Sequence, residues 1–353
     1  MESERILGQN HILRHFENAI RMGKISHAYI INGEEGSGKM NLAIHFAKAL
    51  QCERNNSNKA INEDGERITV PGTACGQCKS CKQTDSKNQP DIKYITYEKS
   101  GIGVDEIREQ INDDIDIKPY SSPYKIYIVP ESEKMTVQAQ NALLKTIEEP
   151  PEYAIIILLT TNADTFLQTI LSRCVMLNIR PVKEDIIKNQ LTSQYGVGDY
   201  EARVAATFSN GNPGKAIKLA TSEEFKELKQ YVVGMFMSLE KGGMDIIGEA
   251  IKKTGTFKKQ IDEYFSLMRI WFRDILVYKA TKEEDQIIFQ DEYMTIEKMS
   301  QTYSFDDIND ILKAIDLAES RIKSNVNFDS TIEILLLSIK KKLQENKHRL
   351  DNS

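Results

Sequence analysis

The sequence has 353 residues and a mass of 40.2 kDa, enough for two or three domains, with ordinary globular proportions of 40% hydrophobic and 28% charged residues. The net charge of −6 argues against a free-standing nucleic-acid-binding protein, which needs excess Lys and Arg to neutralise phosphates. The longest apolar run, Ala154 to Leu159, is far shorter than the roughly 18 residues of a membrane span, and the N-terminus has no signal-peptide core, so we expect a cytoplasmic protein without membrane contact.

From the N-terminus to residue 181, short β-rich runs alternate with helical patterns. This alternation is typical of a mostly parallel sheet covered by helices on both faces. One intervening stretch has Val104, Ile107, Ile111 and Ile115 at helical spacing, which predicts a helix that packs on the sheet. The predicted strands are Ala28–Asn32, Ile92–Thr96, Ile126–Val129, Ile155–Thr160 and Val175–Ile179.

After Pro181 the β-rich runs stop, and this shift in pattern marks a domain boundary. Residues 182–221 predict a short helical unit that contains the breaker Gly211-Asn212-Pro213-Gly214. Residues 222–353 predict a helical bundle, in which Trp271 packs in the core or anchors an interface. Its long helices are predicted near 222–240, 257–280, 305–324 and 328–345.

A glycine-rich loop, residues 33–39, lies between the first predicted strand and a predicted helix at 41–50, which is the context of a phosphate-binding loop (P-loop). Converging backbone N–H groups, the helix N-terminus and the lysine ammonium would bind the phosphates of a nucleotide. A purely structural turn is the alternative. The candidate binding residues are Gly33, Gly36, Ser37, Gly38 and Lys39.

The magnesium ligands that normally accompany such a loop are incomplete. Met40 stands where a Ser or Thr hydroxyl would hold Mg²⁺, and a thioether is a poor ligand for this hard cation. After the third strand, an acidic pair is expected, but the sequence has Pro130-Glu131, so only Glu131 remains. We therefore expect no efficient hydrolysis by this chain, while nucleotide binding stays open.

Three cysteines lie within seven residues, at Cys75, Cys78 and Cys81, and Cys52 can supply a fourth thiolate. In a reducing compartment, this spacing favours metal over disulfides, and four sulfurs suit a closed tetrahedral zinc site. An iron–sulfur cluster and free thiols are the alternatives. The polar stretch between Cys52 and Cys75 predicts a surface insertion, so the metal would hold residues 52–81 against the core.

Three motifs carry a family resemblance: residues 143–151 (Leu-Leu-Lys-Thr-Ile-Glu-Glu-Pro-Pro), Thr160-Thr161-Asn162 and residues 170–174 (Ile-Leu-Ser-Arg-Cys). With them, almost the whole chain resembles the bacterial clamp-loader branch of the AAA+ ATPases. The degraded magnesium ligands are similar to those of the delta-prime subunits of DNA polymerase III, rather than to those of the gamma/tau motor subunits.

This resemblance implies an α/β fold with three parts: an AAA+ P-loop core (1–181) with a five-stranded, mostly parallel sheet, a helical lid (182–221) and a helical collar (222–353). It implies structural Zn²⁺ on the four cysteines. It also implies a hetero-pentameric ring with gamma/tau and delta subunits, which loads the sliding clamp onto primer–template DNA. The chain would be no enzyme alone, but a component of the polymerase III nucleotidyltransferase complex.

Arg173 directly precedes the fifth predicted strand, whereas the P-loop follows the end of the first. In a parallel sheet these positions lie at opposite edges, about 15 Å apart, so Arg173 is too far to touch a phosphate on its own chain. We expect it to act as an arginine finger on a neighbouring ATPase subunit. A surface or interdomain salt bridge is the alternative.

The lid carries a further departure from the motor subunits. Gly214 stands where their phosphate-sensing arginine is found, and Lys215, one residue on, would point about 100° away on a helix. The leading interpretation is therefore a non-hydrolysing clamp-loader stator. The alternatives are an ATP-hydrolysing gamma/tau-type subunit of the same ring, and an independent P-loop ATPase with a zinc-bound, DNA-binding insertion.

Overall fold

The computed structural model describes residues 6–56, 71–98, 101–241 and 245–351, and the chain divides into two compact units. The first contains the described residues up to Ile187 together with Gly211–Lys215. The second contains Lys188–Asn210 and the described residues from Ala216 onward. The predicted lid and collar helices fall mainly in this second unit, and the boundary between them at residue 221 stays a prediction.

The first unit is built on a five-stranded parallel sheet with the spatial order β2-β3-β4-β1-β5. This confirms the predicted α/β class with a five-stranded parallel sheet. The second strand stops two residues earlier than the sequence predicts, although the Ile95 N–H still donates to the Ile128 carbonyl. The strands are β1 Ala28–Asn32, β2 Ile92–Tyr94, β3 Lys125–Val129, β4 Ala154–Thr160 and β5 Val175–Asn178.

Helices cover both faces of this sheet because side chains alternate along each strand. Ile31 packs in one buried cluster with Phe16 and Phe46, while Ile30 packs in another with Ile107 and Leu143. The helices of this unit are α1 Asn10–Met22, α2 Lys39–Leu50, α3 Glu53–Asn56, α4 Lys79–Asp85, α5 Val104–Ile107, α6 Asp113–Ile115, α7 Val137–Glu148 and α8 Gln168–Leu171.

The predicted helix over residues 104–115 is present, and it includes a π-helical turn at Arg108–Asn112 between α5 and α6. Ile107, Ile111 and Ile115 are all buried. Their spacing of four residues slightly exceeds one α-helical turn, and the wider π turn keeps these side chains on the face that packs against the sheet.

The C-terminal half is helical, as predicted. Trp271 is fully buried and its ring stacks on Phe236 at a centroid distance of 5.6 Å, which confirms a core role. No described helix is long and apolar enough to span a bilayer. The sequence pattern does not predict the helices Asp245–Thr256 and Tyr293–Thr302 as separate elements. The helices are α9 Glu184–Tyr195, α10 Asp199–Phe208, α11 Pro213–Thr221, α12 Glu223–Lys241, α13 Asp245–Thr256, α14 Ile261–Thr281, α15 Tyr293–Thr302, α16 Phe305–Lys323 and α17 Phe328–Asp351.

Candidate functional site

The glycine-rich loop connects β1 to α2 and has the backbone of a strand-to-helix turn. Gly36 and Gly38 have φ angles of 77° and 94°, in the left-handed region that favours glycine. Gly38 is the N-cap of α2, so Lys39 is the first residue of the helix. The Gly33 N–H donates to the Thr160 carbonyl at 3.1 Å, which ties the loop to the end of β4.

Lys39 contacts the loop itself. Its ammonium donates to the carbonyl oxygens of Gly33 at 2.6 Å and Glu34 at 2.8 Å. Burial lowers the pKa of Lys39, although the surrounding carboxylates, including Glu133 and Glu131, partly oppose this shift. The ammonium would have to exchange its bonds to the loop carbonyls before it could bind the outer phosphates of a nucleotide.

Residues 211–215 lie against the P-loop within the first unit. The Gly214 N–H donates to the Gly36 carbonyl at 3.1 Å, and the Asn212 amide donates to the Glu35 carbonyl at 2.7 Å. A Cβ atom on Gly214 would come within 2.4 Å of the Gly36 carbonyl oxygen. The absence of a side chain at residue 214 therefore allows this close approach. From the sequence, Asn212 is only part of a helix breaker, and nothing in the local pattern predicts its contact with the loop.

Among the described residues near the P-loop, few side-chain oxygens are free to bind Mg²⁺. Met40 is half-buried and packs against the apolar cluster around α1 and α2. Glu131 accepts hydrogen bonds from the Tyr97 hydroxyl and from the Lys134 ammonium, the latter at 2.8 Å, and these donors lower the pKa of the Glu131 carboxyl. The Ser37 hydroxyl is buried and has no hydrogen-bond partner among the described residues.

Arg173 lies between α8 and β5, at the opposite edge of the sheet from the P-loop. Val175 pairs in register with Tyr29, near the start of β1, whereas the P-loop follows Asn32 at the end of that strand. The Arg173 guanidinium is partly exposed to solvent. It lines an open cleft of about 500 Å³ together with residues 26–28 and 147–150.

The Arg173 side chain is held by three contacts. One terminal nitrogen lies 3.0 Å from a Glu148 carboxylate oxygen, and the other donates to the Thr169 carbonyl and the Ser172 hydroxyl, each at 3.1 Å. Glu148 belongs to the Glu-Glu-Pro-Pro motif, whose sequence does not predict a contact with Arg173. These bonds orient the guanidinium while part of it faces the cleft.

The four predicted metal ligands come together. The sulfur atoms of Cys52, Cys75, Cys78 and Cys81 all lie within 4.8 Å of one another, and the Cys75 and Cys81 sulfurs are 3.9 Å apart. Tetrahedral zinc with Zn–S bonds of about 2.3 Å places its sulfurs about 3.8 Å apart, so this arrangement fits a zinc ion.

Backbone N–H groups around the cluster favour thiolates. The Cys78 N–H donates to the Cys75 sulfur at 3.3 Å, and the Cys81 N–H donates to the Cys78 sulfur at 3.4 Å. Backbone donors at Gln77 and Cys78 lower the pKa of Cys75 to about 6, whereas burial raises the pKa of Cys81. A cation held by four thiolates has no open position for water, so the site suits a structural role.

Comparison with known proteins identifies the family. The family described as DNA polymerase III, delta subunit, matches residues 8–183, and its C-terminal family matches residues 248–341. DNA polymerase III subunit delta' of Bacillus subtilis is 26% identical over 335 residues, which cover 94% of this chain and 96% of that relative. The tau subunit of the same organism is 34% identical over 221 residues, which are 61% of this chain but only 36% of tau.

Among solved structures, a DNA polymerase III gamma subunit-related protein from Thermotoga maritima is 21% identical, with a TM-score of 0.41 over 94% of this chain and 99% of that one. The matched families together cover about three quarters of the sequence. The chain therefore belongs to the DNA polymerase III clamp-loader subunit family.

Proposed function

We propose that this chain is the delta-prime-type stator of a clamp loader and lends Arg173 to the ATP site of a neighbouring subunit. Its partners would be gamma/tau and delta subunits in a hetero-pentameric ring, which loads the sliding clamp onto primer–template DNA in the cytoplasm. The proposed domains of the chain are a core at 1–181, a lid at 182–221 and an assembly collar at 222–353.

The observation that carries this proposal is the contrast between the two edges of the sheet. At the P-loop edge, the side chains of Met40 and Pro130 offer no oxygen to Mg²⁺, and Gly214 lies directly on the loop backbone. At the other edge, Arg173 is oriented and partly exposed in an open cleft. The first edge is poorly equipped for hydrolysis, whereas the second can offer a cation to another molecule.

A guanidinium supplied in trans stabilises charge on the transferring phosphoryl group. Such an arginine raises the rate of hydrolysis by about 10³–10⁵ in well-characterised cases. Arg173 suits this role because Glu148, Thr169 and Ser172 already hold its guanidinium in place. Little conformational entropy of the side chain is therefore lost when the guanidinium binds phosphate. The proposed zinc ion, held by Cys52, Cys75, Cys78 and Cys81, would stabilise the insertion and take no part in hydrolysis.

Reconstitution of the ring with Arg173→Ala tests the proposal. We expect the ring to assemble normally, while DNA-stimulated ATP hydrolysis and clamp loading fall, because the one site that receives Arg173 loses about 10³-fold or more in rate. Arg14→Ala is the matched control, since Arg14 is exposed on α1 of the same unit. Unchanged turnover with Arg173→Ala would remove the proposed role in trans.

The alternative is an ATP-hydrolysing gamma/tau-type subunit, and the identity to tau over the core favours it. The two proposals differ in what the isolated chain does with ATP and Mg²⁺. A stator has no turnover above background on its own, whereas a motor subunit hydrolyses ATP at a rate that Lys39→Ala abolishes. Lys39-dependent turnover by the isolated chain would therefore overturn the stator proposal.

A further inference from the structure

The loop between α6 and β3 exposes two apolar side chains. Tyr120 is 88% exposed and Ile117 is 61% exposed. An exposed tyrosine three residues from an exposed isoleucine suits a contact surface, because aromatic residues contribute strongly to protein interfaces. The residues from Ile117 to Ser122 are called the Tyr120 loop below.

The Tyr120 loop is fixed in place by a buried carboxylate. Asp91 is only 2% exposed, and it accepts hydrogen bonds from the Tyr120 N–H at 2.5 Å and from the Ser121 N–H at 2.9 Å. The Lys125 ammonium donates to the Ile117 carbonyl at 3.0 Å. The exposed side chains therefore lie on an ordered backbone. Less conformational entropy of the loop is then lost when a partner binds.

A buried hydrogen-bond chain joins this loop to the cysteine cluster. The amide nitrogen of Gln89 donates to the Ser122 hydroxyl at 2.7 Å and to the Ser80 hydroxyl at 3.0 Å. Ser80 lies between the ligand candidates Cys78 and Cys81, and both Ser80 and Gln89 are buried. Side-chain hydrogen bonds through Ser80 and Gln89 therefore connect the segment that carries the cysteines to the loop.

The Tyr120 loop lies at the same edge of the sheet as Arg173. It precedes β3, while Arg173 precedes β5, and the four strands from β3 to β5 are parallel and in register. Three strand spacings separate β3 from β5 by about 14 Å across the sheet. A standard interface of about 800 Å² per partner is roughly 30 Å across, so one partner can cover both.

We propose that the Tyr120 loop, braced by Asp91 and coupled through Gln89 to the cysteine–metal cluster, is a docking element for the ATPase subunit that receives Arg173. This inference rests on the proposed function, because it takes the Arg173 edge to face that neighbour. The metal then acts on assembly through the loop, and Arg173 acts on hydrolysis.

The first experiment measures how tightly the purified chain joins the other ring subunits. We expect Tyr120→Ser combined with Ile117→Ser to weaken association by about tenfold or more, because a preorganised apolar contact is lost. Val137→Ser is the matched control, since Val137 is 56% exposed but lies beyond the opposite end of β3. Equal affinities for the double variant and the unmodified chain would overturn the docking role, as would equal weakening by the control.

The second experiment tests the coupling by hydrogen exchange, zinc analysis and association. We expect Gln89→Leu to keep stoichiometric zinc, while the amides of Tyr120 and Ser121 exchange faster and association weakens. Cys78→Ser should lose the zinc and speed the same two amides. If both variants leave those amides as protected as in the unmodified chain, the metal cluster does not brace the loop.

The outcomes separate this inference from the proposed function. Arg173→Ala should lower turnover without changing association. The double loop variant should weaken association, with turnover recovering when the chain is added in excess. A ring that loses turnover with Arg173→Ala but assembles normally with the loop variant would retain the finger and discard the docking element.

Discussion

The backbone N–H of Gly214 lies 3.1 Å from the carbonyl oxygen of Gly36, so the start of α11 is hydrogen-bonded to the P-loop. Two further contacts support this bond, because the Asn212 amide donates to the Glu35 carbonyl and the Asn212 side-chain oxygen accepts from the Lys215 N–H. Glycine at residue 214 thus permits this close packing against the P-loop.

Gly214→Arg should destabilise the chain without creating an ATPase. The new Cβ would meet the Gly36 carbonyl oxygen at 2.4 Å, so the loop contact must open, at a cost of about 1–3 kcal/mol. Urea denaturation measures the loss of stability, and phosphate release measures hydrolysis. Lys215→Arg, one residue away, is the control and should keep near-normal stability. A stable Gly214→Arg variant with strong turnover would contradict the expected clash.

Glu148→Gln should lower the Arg173-dependent part of the turnover of the reconstituted ring by about three- to tenfold. The substitution removes one charged contact to Arg173, while the bonds to Thr169 and Ser172 remain. Stability should change by less than about 1 kcal/mol, because the ion pair is partly exposed. ATPase assays with Glu149→Gln as the neighbouring control check this. In an Arg173→Ala background, Glu148→Gln should have no further effect, and an additive loss would contradict a positioning role.

Cys78→Ser should abolish the proposed zinc binding and lower the free energy of unfolding. A structural zinc site contributes directly to folding, and its loss leaves three thiols grouped around an incomplete site. Metal analysis and chemical denaturation give the two readouts. Cys174→Ser is the control, because Cys174 lies outside the cluster, next to β5. Full zinc retention by Cys78→Ser would contradict the four-thiolate assignment.

Asp114→Asn should destabilise the chain in a pH-dependent way. Burial raises the pKa of Asp114, but hydrogen bonds from Lys125, Lys93 and Tyr127 outweigh it and hold that pKa below its ordinary value of about 3.9. The ionised group therefore contributes stability above about pH 4, and this contribution is lost as the pH falls through the folded-state pKa.

Urea denaturation at several pH values measures this dependence. The cost of Asp114→Asn should be about 2–4 kcal/mol at pH 7 and should shrink steadily below pH 4. The exposed neighbour Asp113 provides the control variant Asp113→Asn, whose cost should be small at every pH. A cost that stays constant down to pH 3 would exclude the charge of Asp114 as its source.

The sequence predicted most of the first unit because its signals are local. Alternating apolar runs located all five strands, with β1 predicted residue for residue and β2 shorter than expected. The spacing of Cys75, Cys78 and Cys81 likewise predicted a thiolate cluster. Helices α13 and α15 escaped separate prediction because continuous amphipathic helix and short interruptions produce similar patterns in the C-terminal half.

The contacts that distinguish the P-loop edge of the sheet from the Arg173 edge could not be predicted from local sequence patterns. Asn212 contacts Glu35 of the P-loop, which is 177 residues away in the sequence. Glu148 and Arg173 are separated in the sequence by β4 and α8 but form an ion pair. The sequence around Asp91 does not predict its contact with the Tyr120 loop, because a single aspartate before a strand usually belongs to a turn. These contacts depend on where separate elements meet.

By itself the sequence determined which residues can do chemistry: a glycine-rich loop with Lys39, four cysteines, an arginine before the fifth strand, and no oxygen ligand at Met40 or Pro130. Residue type and local periodicity are enough for these conclusions, because they depend on neighbours along the chain. Only the tertiary structure decided that Gly214 lies on the loop, that Glu148 orients Arg173, and that Gln89 connects the cysteine cluster to the Tyr120 loop. Such contacts arise when distant segments pack together, and packing depends on the whole fold rather than on any one segment.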